Sequence, residues 1–543
     1  MRSQPVPDVR RYESLLEILQ DAERREPDAA CLGLFREDGT TETWTRRQLS
    51  ERAVAAGHRL AQRLGLSPGD RLLVLSASTP SVPAVFFGAM RAGVVVVPLD
   101  LRMSADAVGR IAADSGARAL ALGAGLEAEA ARLGLGGLPY ATVESLTAVV
   151  DRASSAPIDD LAGPPGPGRD DVFEIIYTSG TTGRPKGVTL THGNILSWVE
   201  ACTNAIPTQR HRVVSLMPLS HVFGQLAELF YALLVDASVL YVRSMQPRVI
   251  FQALRAHRVS TMAVVPMALE LFESAIEREA ERRGRARRLR AARVVARHLP
   301  VFLRRRLFAD VHAQLGGGLR LFISSGAALP PPVQSFWEDL GVTVLQGYGA
   351  TECGIVCCAT ARHHEAGIVG RVTAPNELRL DADGQVLVRG PGVFRGYWND
   401  PLATAEAIAN DGSYRSGDLG HFDRHGSLVL HGRAKDMVVL PNGLNVYPED
   451  VESALRAAGV PESVVVETEP GTLEAIVRAG ERLDADGVAA AVREANRHLG
   501  THQRVQRWQL WPDADFPRTH TLKVRRAAVR EWAMARRRTP AVA

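Results

Sequence analysis

Short, unbroken apolar runs recur along most of this chain and alternate with longer stretches of helical character. The run RLLVLSA follows Gly69 and Asp70, and the run VVVVPLD occupies residues 94–100. Such continuous runs of branched aliphatic residues are typical of strands that are buried on both faces of a parallel sheet. The same alternation continues through FEIIYTS, VVSLMP, SVLYV, STMAVVP, LRLFISSG and VTVLQGYG. It predicts an α/β fold with doubly wound sheets.

The later part of the chain changes character twice. The segments VLVRGPGVFRGYW and GSLVLHGR contain shorter strand-like runs, which indicate a small antiparallel, β-barrel-like part. After Gly432 and Arg433 the pattern restarts as a small α+β unit. We therefore predict a large N-terminal domain over residues 1–432 and a small C-terminal domain over residues 433–543.

Composition and charge exclude several classes of protein. With 543 residues, of which 46% are hydrophobic, the chain is long enough for two or more domains and too apolar for general disorder. Its formal charge of +4 is too close to balance for nucleic acid to be the expected partner. The five cysteines show neither metal-site spacing nor a disulfide framework, and no apolar signal core opens the sequence. We expect a cytoplasmic protein of enzyme size.

Lysine is almost absent from this chain. Of its 64 basic residues only three are lysines, Lys186, Lys435 and Lys523, and the other 61 are arginines. An ammonium group is compact and flexible, whereas a guanidinium group is planar and rigid. A chain that otherwise uses arginine is expected to keep lysine where the compact cation is required. The three lysines are therefore candidate functional residues.

The arginines are concentrated in one segment. Residues 275–306 contain 12 arginines and three glutamates, a net charge of +9, so the rest of the chain carries a net charge of −5. A solvated pair of helices is the simpler interpretation. The apolar sequences LPVFL and LF beside the arginines favour an alternative, a surface for peripheral membrane contact or for an anionic ligand.

One decapeptide carries the most specific chemistry. Directly after the strand-like FEIIY, residues 178–187 read TSGTTGRPKG and combine three glycines, four hydroxyl side chains and a lysine. Glycines let backbone N–H groups approach phosphate oxygens, hydroxyls donate further hydrogen bonds, and the ammonium group neutralises charge. The spacing differs from GxxxxGK[ST], the usual nucleotide-binding loop. The decapeptide predicts a phosphate-binding loop of a different kind.

Further motifs follow this loop along the chain, namely PLSHVFG at 218–224, SSGAALP at 324–330, GYGATE at 347–352, YRSGD at 414–418, GRAKD at 432–436, NGLNVYPEDVE at 442–452 and PRTHTLK at 517–523. Together with the loop they resemble the motifs of the adenylate-forming (AMP-binding) superfamily, which includes acyl-CoA synthetases, luciferases and peptide-synthetase adenylation domains. The resemblance extends from about Leu15 to Arg526. It implies that the small C-terminal domain is mobile.

The resemblance implies a nucleotide site. Tyr348 is expected to stack on the purine, Asp418 to accept hydrogen bonds from the ribose hydroxyls, and Glu352 to bind Mg²⁺. The residues implied to bind ATP or AMP are Thr178, Ser179, Gly180, Thr181, Thr182, Gly183, Lys186, Gly326, Ala327, Ala328, Gly347, Tyr348, Gly349, Thr351, Asp418 and Arg433.

The resemblance also implies catalytic and acyl-binding residues. Lys523 matches the catalytic lysine, which bonds the substrate carboxylate and the α-phosphate, and Thr351 and His221 complete the catalytic set. Lys435 matches the hinge between the domains, and Gly443 lies in the loop expected to form the CoA tunnel. The alternative for His221 is a hydrogen-bonded core histidine. The implied acyl pocket consists of His221, Phe223, Gly224 and Gly349.

Two sequence details bear on the substrate. Many family members have glycine before the catalytic lysine, whereas this chain has Leu522, and the form THTLKVRR is similar to that of long-chain fatty acyl-CoA synthetases. Amino-acid-activating relatives have an aspartate at the position of Phe223, and that aspartate pairs with the ammonium group of the substrate. Beside Phe223 an ammonium group would be poorly solvated. We therefore predict a fatty acid, of long chain, as the substrate, with an aryl or medium-chain acid as the alternative.

The predicted reaction is ligation of this acid to CoA. ATP activates the carboxylate as acyl-AMP with release of pyrophosphate, and the acyl group is then transferred to CoA with release of AMP. ATP and CoA are the expected substrates, and Mg²⁺ is the expected metal. The alternatives are an acyl-AMP ligase that loads an acyl carrier protein, and a non-catalytic nucleotide or acyl-ligand sensor. A sensor is expected to have lost Lys523 or Glu352, and this chain has both.

Overall fold

The computed structural model describes residues 5–149, 166–179, 185–244, 246–441, 444–478, 483–519 and 523–538. Its packing divides the chain into two compact units. The first unit consists of Met1–Leu378 and Val388–Tyr414, and the second consists of Arg379–Leu387 and Arg415–Ala543. This division is based on packing alone. The predicted boundary between residues 432 and 433 stays a prediction.

The strands of the first unit are short, and most lie where the apolar runs predict them. They are β1 (Ala30–Phe35), β2 (Thr41–Thr45), β3 (Arg71–Leu75), β4 (Val95–Leu99), β5 (Ala119–Leu122), β6 (Tyr140–Thr142), β7 (Val172–Ser179), β8 (Pro185–Thr191), β9 (Arg212–Ser215), β10 (Ser238–Val242), β11 (Thr261–Val264), β12 (Leu321–Ser324), β13 (Thr343–Ala350), β14 (Gly354–Cys358) and β15 (Arg371–Val372).

These strands form two sheets. One has the order β6-β5-β3-β4-β7-β8 and is parallel except at β7–β8. The other has the order β15-β14-β13-β12-β11-β9-β10-β1-β2, with six parallel strands from β13 to β1 and antiparallel strands at both ends. The crossovers between non-consecutive strands run through helices. The predicted α/β fold is confirmed.

The helices of the first unit cover the sheets. They are α1 (Leu16–Arg25), α2 (Arg46–Leu64), α3 (Ser81–Ala92), α4 (Ala105–Ser115), α5 (Glu127–Arg132), α6 (Val143–Thr147), α7 (His192–Ala205), α8 (Val222–Gln225), α9 (Tyr231–Leu234), α10 (Pro247–His257), α11 (Pro266–Arg282), α12 (Ala286–Ala296), α13 (Val301–Leu307), α14 (Ala309–Gln314), α15 (Pro331–Asp339) and α16 (Pro401–Ala407). A π-helical turn, Leu226–Phe230, joins α8 to α9. Within the described ranges, no helix has both the length and the apolar character needed to cross a bilayer.

Local sequence explains where helix α2 begins and ends. Thr45 and Gln48 form a reciprocal capping box at its start, and Gly65 ends it in the left-handed conformation with φ of +63°. The apolar faces of such helices pack on the sheets. Phe322, Phe336 and Trp337, for example, belong to the core on the nine-stranded sheet.

The second unit contains most of a four-stranded sheet and a small α+β part. Its strands are β16 (Glu377–Leu380), β17 (Gln385–Arg389), β18 (Tyr414–Phe422), β19 (Leu428–Arg433), β20 (Val438–Val439), β21 (Asn445–Val446), β22 (Glu462–Glu469), β23 (Thr472–Arg478) and β24 (Arg507–Leu510). Its helices are α17 (Pro448–Ala457), α18 (Ala485–His498) and α19 (Arg526–Arg538). β16 to β19 form one sheet in which β18 and β19 are antiparallel, as GSLVLHGR predicts. β22 to β24 form the sheet of the α+β part.

Candidate active site

Several predicted nucleotide-binding residues of the first unit lie at the carboxyl ends of neighbouring parallel strands. β12 and β13 are paired in parallel, from Leu321–Thr343 to Ser324–Gln346. The exposed loop after β12 carries residues 326–328, and the end of β13 carries residues 347–349, of which Tyr348 is buried. Ligands of open α/β sheets bind at the carboxyl ends of the strands. This edge of the nine-stranded sheet is therefore the candidate active site.

The hairpin between β13 and β14 can form only with glycine at two positions. A Cβ atom on Gly349 would lie 1.8 Å from the carbonyl oxygen of Gly354. Gly354 has φ of +64°, and a Cβ atom there would lie 2.2 Å from the ring of Trp198, whose Nε1 donates to the Gly392 carbonyl at 2.9 Å. The turn that carries Thr351 and Glu352 is thus packed against a buried, hydrogen-bonded indole.

Tyr397 connects two of the predicted residues. Its hydroxyl donates to Oε1 of Glu352 at 3.0 Å, and Nζ of Lys186 lies 5.0 Å from the centroid of its ring. The structure therefore brings Lys186 and Glu352, from separate motifs, to one aromatic side chain. Tyr397 is not among the residues predicted from the sequence, because its context, RGYW, does not distinguish this ring from a core aromatic.

The described part of the predicted phosphate loop consists of its two ends. Thr178, near the end of β7, pairs with Lys186, near the start of β8, in antiparallel register. Gly180, Thr181, Thr182 and Gly183 lie outside the described residues, as does the position of the Ser179 side chain. β7 neighbours β4 in parallel, so both ends of the loop meet the carboxyl edge of the six-stranded sheet.

His221 lies where the carboxyl ends of the two sheets meet. It follows β9 of the nine-stranded sheet, and its Nε2 is 3.0 Å from Oδ2 of Asp100, which directly follows β4 of the other sheet. Arg102 donates to Asp100 through Nε and Nη2 at 2.9 and 2.7 Å. Burial alone would raise the pKa of Asp100, but the hydrogen bonds from Arg102 and His221 outweigh it and hold the pKa well below its usual range. Asp100 therefore stays ionised.

The residues after His221 are held close to the preceding loop. A Cβ atom on Gly224 would lie 2.5 Å from the carbonyl oxygen of Pro218. Gln225 donates to the Leu219 carbonyl at 2.9 Å, and the Leu219 N–H donates to Ser78 at 3.1 Å. The loop that presents His221 is thus tied at several points.

Two buried glutamates, which were not predicted from the sequence, accept hydrogen bonds in this region. Nε2 of Gln225 donates to Glu174 on β7 at 2.9 Å, and the Ser215 hydroxyl donates to Glu228 in the π-helical turn at 2.5 Å. Burial raises the pKa of both carboxyl groups to about 8. Both are therefore largely protonated at neutral pH and act as neutral hydrogen-bonding groups.

In the second unit the structure pairs two predicted nucleotide-binding residues. Asp418 and Arg433 face each other across β18 and β19, and Nε of Arg433 lies 2.7 Å from Oδ1 of Asp418. The Asp418 N–H donates to Oγ of Ser416 at 3.0 Å, and that hydroxyl donates to the Val386 carbonyl at 2.8 Å. The carboxylate of Asp418 is thus oriented by Arg433 on the neighbouring strand, while its backbone N–H is bonded within its own strand.

The other predicted residues of the second unit lie in turns. Lys435 is exposed in a short 3₁₀ turn, Ala434–Asp436, that follows β19. Lys523 is exposed just before α19, and its N–H donates to Oγ1 of Thr519 at 3.2 Å. Gly443 and Leu522 lie outside the described residues.

Glu352 has the chemistry of a magnesium ligand. Its Oε1 accepts the hydrogen bond from Tyr397, while Oε2 has no hydrogen bond to any described residue. A carboxylate oxygen that is left open in this way suits a hard cation whose remaining ligands are water and substrate phosphates. Among the described residues, no group of three or more His, Cys, Asp or Glu side chains could hold a metal by itself.

Comparisons with known proteins agree on one family. The profile of the AMP-binding enzyme family matches residues 19–398. The chain is 28% identical to long-chain-fatty-acid–CoA ligase FadD15 of Mycobacterium bovis over 97% of each chain. It is 29% identical to feruloyl-CoA synthase of an Amycolatopsis species over 87% of this chain and 90% of the relative.

A solved structure shares the fold. The crystal structure of ATP-bound MatB from Rhodopseudomonas palustris superposes with a TM-score of 0.76 at 22% identity, covering 96% of this chain and 99% of MatB. The family profile spans more than half of the chain, including the phosphate loop and the Glu352 turn. The chain therefore belongs to the AMP-binding enzyme family.

Proposed function

We propose that this chain is an ATP-dependent acid–thiol ligase that activates a long-chain fatty acid as acyl-AMP and transfers the acyl group to CoA. The observation that carries the proposal is the meeting of Lys186 and Glu352 at Tyr397, because ATP binding requires a cation for phosphate and a hard carboxylate for its metal. Relatives named as a fatty-acid–CoA ligase and as a feruloyl-CoA synthase support a carboxylic acid and CoA as the other substrates.

In the first half-reaction, a carboxylate oxygen of the acid forms a bond to the α-phosphorus of ATP, and the bond from that phosphorus to pyrophosphate breaks. Residues 178–183 and Lys186 hold the phosphates, and the Thr351 hydroxyl bonds the α-phosphate. Lys523 stabilises the charge that moves from the carboxylate to the phosphate. Glu352 holds Mg²⁺, which neutralises phosphate charge when bound.

In the second half-reaction, the CoA thiolate attacks the acyl carbonyl carbon, and the bond to AMP breaks with its electron pair leaving on the phosphate. In the proposed mechanism, residues 433–543 are a mobile domain with its hinge at Lys435. Its rotation removes Lys523 from the nucleotide and brings the loop of Gly443 to the thiol tunnel. One pocket thereby serves both reactions.

The acyl chain of the proposed substrate lies against His221, Phe223, Gly224 and Gly349. This assignment is supported by the close packing at Gly224 and Gly349, which fixes the backbone that would line the pocket. An aryl acid is the second candidate, because a relative of nearly the same identity is named as a feruloyl-CoA synthase.

A peripheral membrane contact is part of the proposal, because a long-chain acid partitions into membranes. The arginine-rich segment, residues 275–306, forms the end of α11, all of α12 and most of α13. Val294, Val295, Val301 and Phe302 are exposed by 59%, 56%, 52% and 68%. Arg287, Arg288, Arg290 and Arg306 are exposed and form no ion pair with any described residue. Exposed apolar side chains among unpaired arginines suit the surface of an anionic bilayer.

Vesicle sedimentation tests the membrane contact. We expect the protein to bind phosphatidylglycerol-containing vesicles but not neutral phosphatidylcholine vesicles, with weaker binding at high salt. Phe302→Asp should abolish the binding. Leu402→Asp is the matched control, because Leu402 is 80% exposed on α16, outside this segment. Equal binding of the two variants, or binding to RNA in preference to vesicles, would contradict the contact.

Pyrophosphate exchange tests the chemistry. The purified chain is given labelled pyrophosphate, Mg·ATP and a panel of acids from acetate to oleate, together with cinnamates. We expect exchange that is strongest with the long-chain acids, and AMP release on addition of CoA rather than of a holo acyl carrier protein. Exchange with none of the acids would exclude the proposed ligase. Preference for cinnamates would indicate a ligase for aryl acids. Preference for the carrier protein would indicate an acyl-AMP ligase that loads an acyl carrier protein.

A further inference from the structure

Tyr397 is fixed by its backbone to the strand that carries Lys186. Tyr397 and Val188 of β8 form an antiparallel bridge, and the next N–H, of Trp398, donates to the Gly187 carbonyl at 2.7 Å. The Tyr397 N–H itself donates to Oγ1 of Thr404 at 2.9 Å. The backbone of Tyr397 is therefore held beside the strand of the phosphate-loop lysine by hydrogen bonds.

The opposite side of the ring is fixed to the Glu352 turn. Phe394 packs edge-on against Tyr397 with ring centroids 4.8 Å apart, and the Phe394 N–H donates to the Glu352 carbonyl at 2.8 Å. The Tyr397 hydroxyl then bonds the Glu352 carboxylate itself at 3.0 Å. Lys186 and Glu352, which come from separate motifs, thus each contact the aromatic pair of Phe394 and Tyr397.

Both charged groups lie beside this tyrosine, yet no ion pair joins Lys186 to Glu352 among the described residues. A direct ion pair would neutralise the ammonium group that phosphate requires and the carboxylate that a cation requires. An aromatic face attracts the ammonium group without neutralising it, and a hydroxyl donor orients the carboxylate without removing its charge.

We propose that Tyr397 is a positioning residue that keeps Lys186 and Glu352 oriented and apart, so that the phosphates meet the lysine and the divalent cation meets the glutamate. The inference rests on the proposed function for the roles of those two residues. Tyr397 acts through them, by its hydroxyl on Glu352 and by its ring on Lys186.

Two substitutions separate these effects. Tyr397→Phe removes the hydroxyl and keeps the ring, so we expect the half-saturating Mg²⁺ concentration in pyrophosphate exchange to rise about tenfold. Binding of ATP measured by calorimetry in EDTA should not change. Tyr397→Leu also removes the aromatic face, and should in addition weaken ATP binding in EDTA by about threefold.

A binding measurement makes the test independent of catalysis. The protein is titrated with Mn²⁺ in the presence of ATP, and bound Mn²⁺ is measured by electron paramagnetic resonance. Tyr397→Phe should weaken Mn²⁺ binding about tenfold, while Tyr140→Phe, which changes an exposed tyrosine elsewhere, should have no effect. In a Glu352→Gln background Tyr397→Phe should have no further effect on Mn²⁺ binding, because the carboxylate that its hydroxyl orients is absent there.

Unchanged Mn²⁺ affinity in Tyr397→Phe would overturn the inference. So would an equal effect of Tyr397→Phe with and without Glu352→Gln, because a merely structural role would give that result. If the wild-type protein binds Mn·ATP but exchanges pyrophosphate with no acid, the proposed ligase fails while the role of Tyr397 is still measured. Failure of the wild-type protein to bind Mn·ATP would overturn both.

Discussion

Oδ2 of Asp100 lies 3.0 Å from Nε2 of His221, and the two residues follow strands of different sheets. The buried carboxylate also accepts hydrogen bonds from Arg102. We predict that Asp100→Asn lowers the rate of acyl-adenylate formation about tenfold, because the imidazole loses a charged partner that fixes its orientation.

Pyrophosphate exchange across pH 6–9 measures this effect, and thermal unfolding reports on the fold. Asp106→Asn provides a control, since Asp106 is exposed on the adjacent helix α4 and pairs only with Arg110 among the described residues. If Asp100→Asn exchanges pyrophosphate at the wild-type rate and with the wild-type pH profile, His221 does not need a charged partner to act in acyl-adenylate formation.

Lys523→Ala is predicted to separate the two half-reactions. Without the ammonium group the charge on the α-phosphate is not stabilised, so exchange should fall by about a thousandfold. Thioester formation from supplied acyl-AMP and CoA should stay within about threefold of the wild-type rate. Lys435→Ala is the informative comparison, because it should slow the second half-reaction instead. Equal loss of both half-reactions in Lys523→Ala would contradict the division of roles.

Gly354→Ala is predicted to destabilise the protein much more than Gly65→Ala. Both glycines have φ near +64°, but a Cβ atom at Gly65 meets no atom within 4 Å, whereas at Gly354 it would lie 2.2 Å from the Trp198 ring. Placing alanine in the left-handed conformation costs about 1 kcal/mol at either position. The clash at Gly354 should add about 1–3 kcal/mol to the loss in free energy of unfolding, measured in urea. Similar losses would indicate that the hairpin adjusts freely.

Glu174→Gln is predicted to alter how stability depends on pH. Burial raises the pKa of Glu174 from 4.5 to about 8, so the folded state holds a proton that the unfolded state releases. The stability of the wild-type protein relative to the variant should therefore fall as pH rises from about 4.5 to about 8.

The glutamine keeps an oxygen that accepts the hydrogen bond from Gln225, so the two proteins should be close in stability at the acid end of the range. Urea unfolding at several pH values measures the difference. Glu127→Gln, at an exposed position on α5, should show no such trend. A constant difference between wild type and Glu174→Gln would mean that the carboxyl group is ionised in the folded protein.

The sheets were predictable from the sequence because their strands are buried on both faces. RLLVLSA and VVVVPLD contain β3 and β4, and these strands pair in parallel from Arg71–Val95 to Leu75–Leu99. Helix α12 and its neighbours lie where the arginine-rich segment indicates helices. Local composition is sufficient for such elements, since it determines which backbone geometry buries the apolar side chains.

The partners of the site residues were not predictable in the same way. Asp100 and His221 are brought together by two separate sheets, and no local pattern relates their positions. Glu174 stands within an apolar strand, where the sequence does not distinguish a buried, protonated carboxyl group from a charge at the sheet surface. Asp100 did carry a usable signal, since an acidic residue directly after a buried parallel strand lies at the edge where ligands bind.

The packing of Trp198 under the Glu352 turn has a consequence for how this protein can diverge. Neither Gly349 nor Gly354 accepts a side chain, so substitution at these two positions is closed to the chain whichever acid it takes. Divergence in this region must therefore proceed through other positions, while the two glycines of the turn are inherited intact.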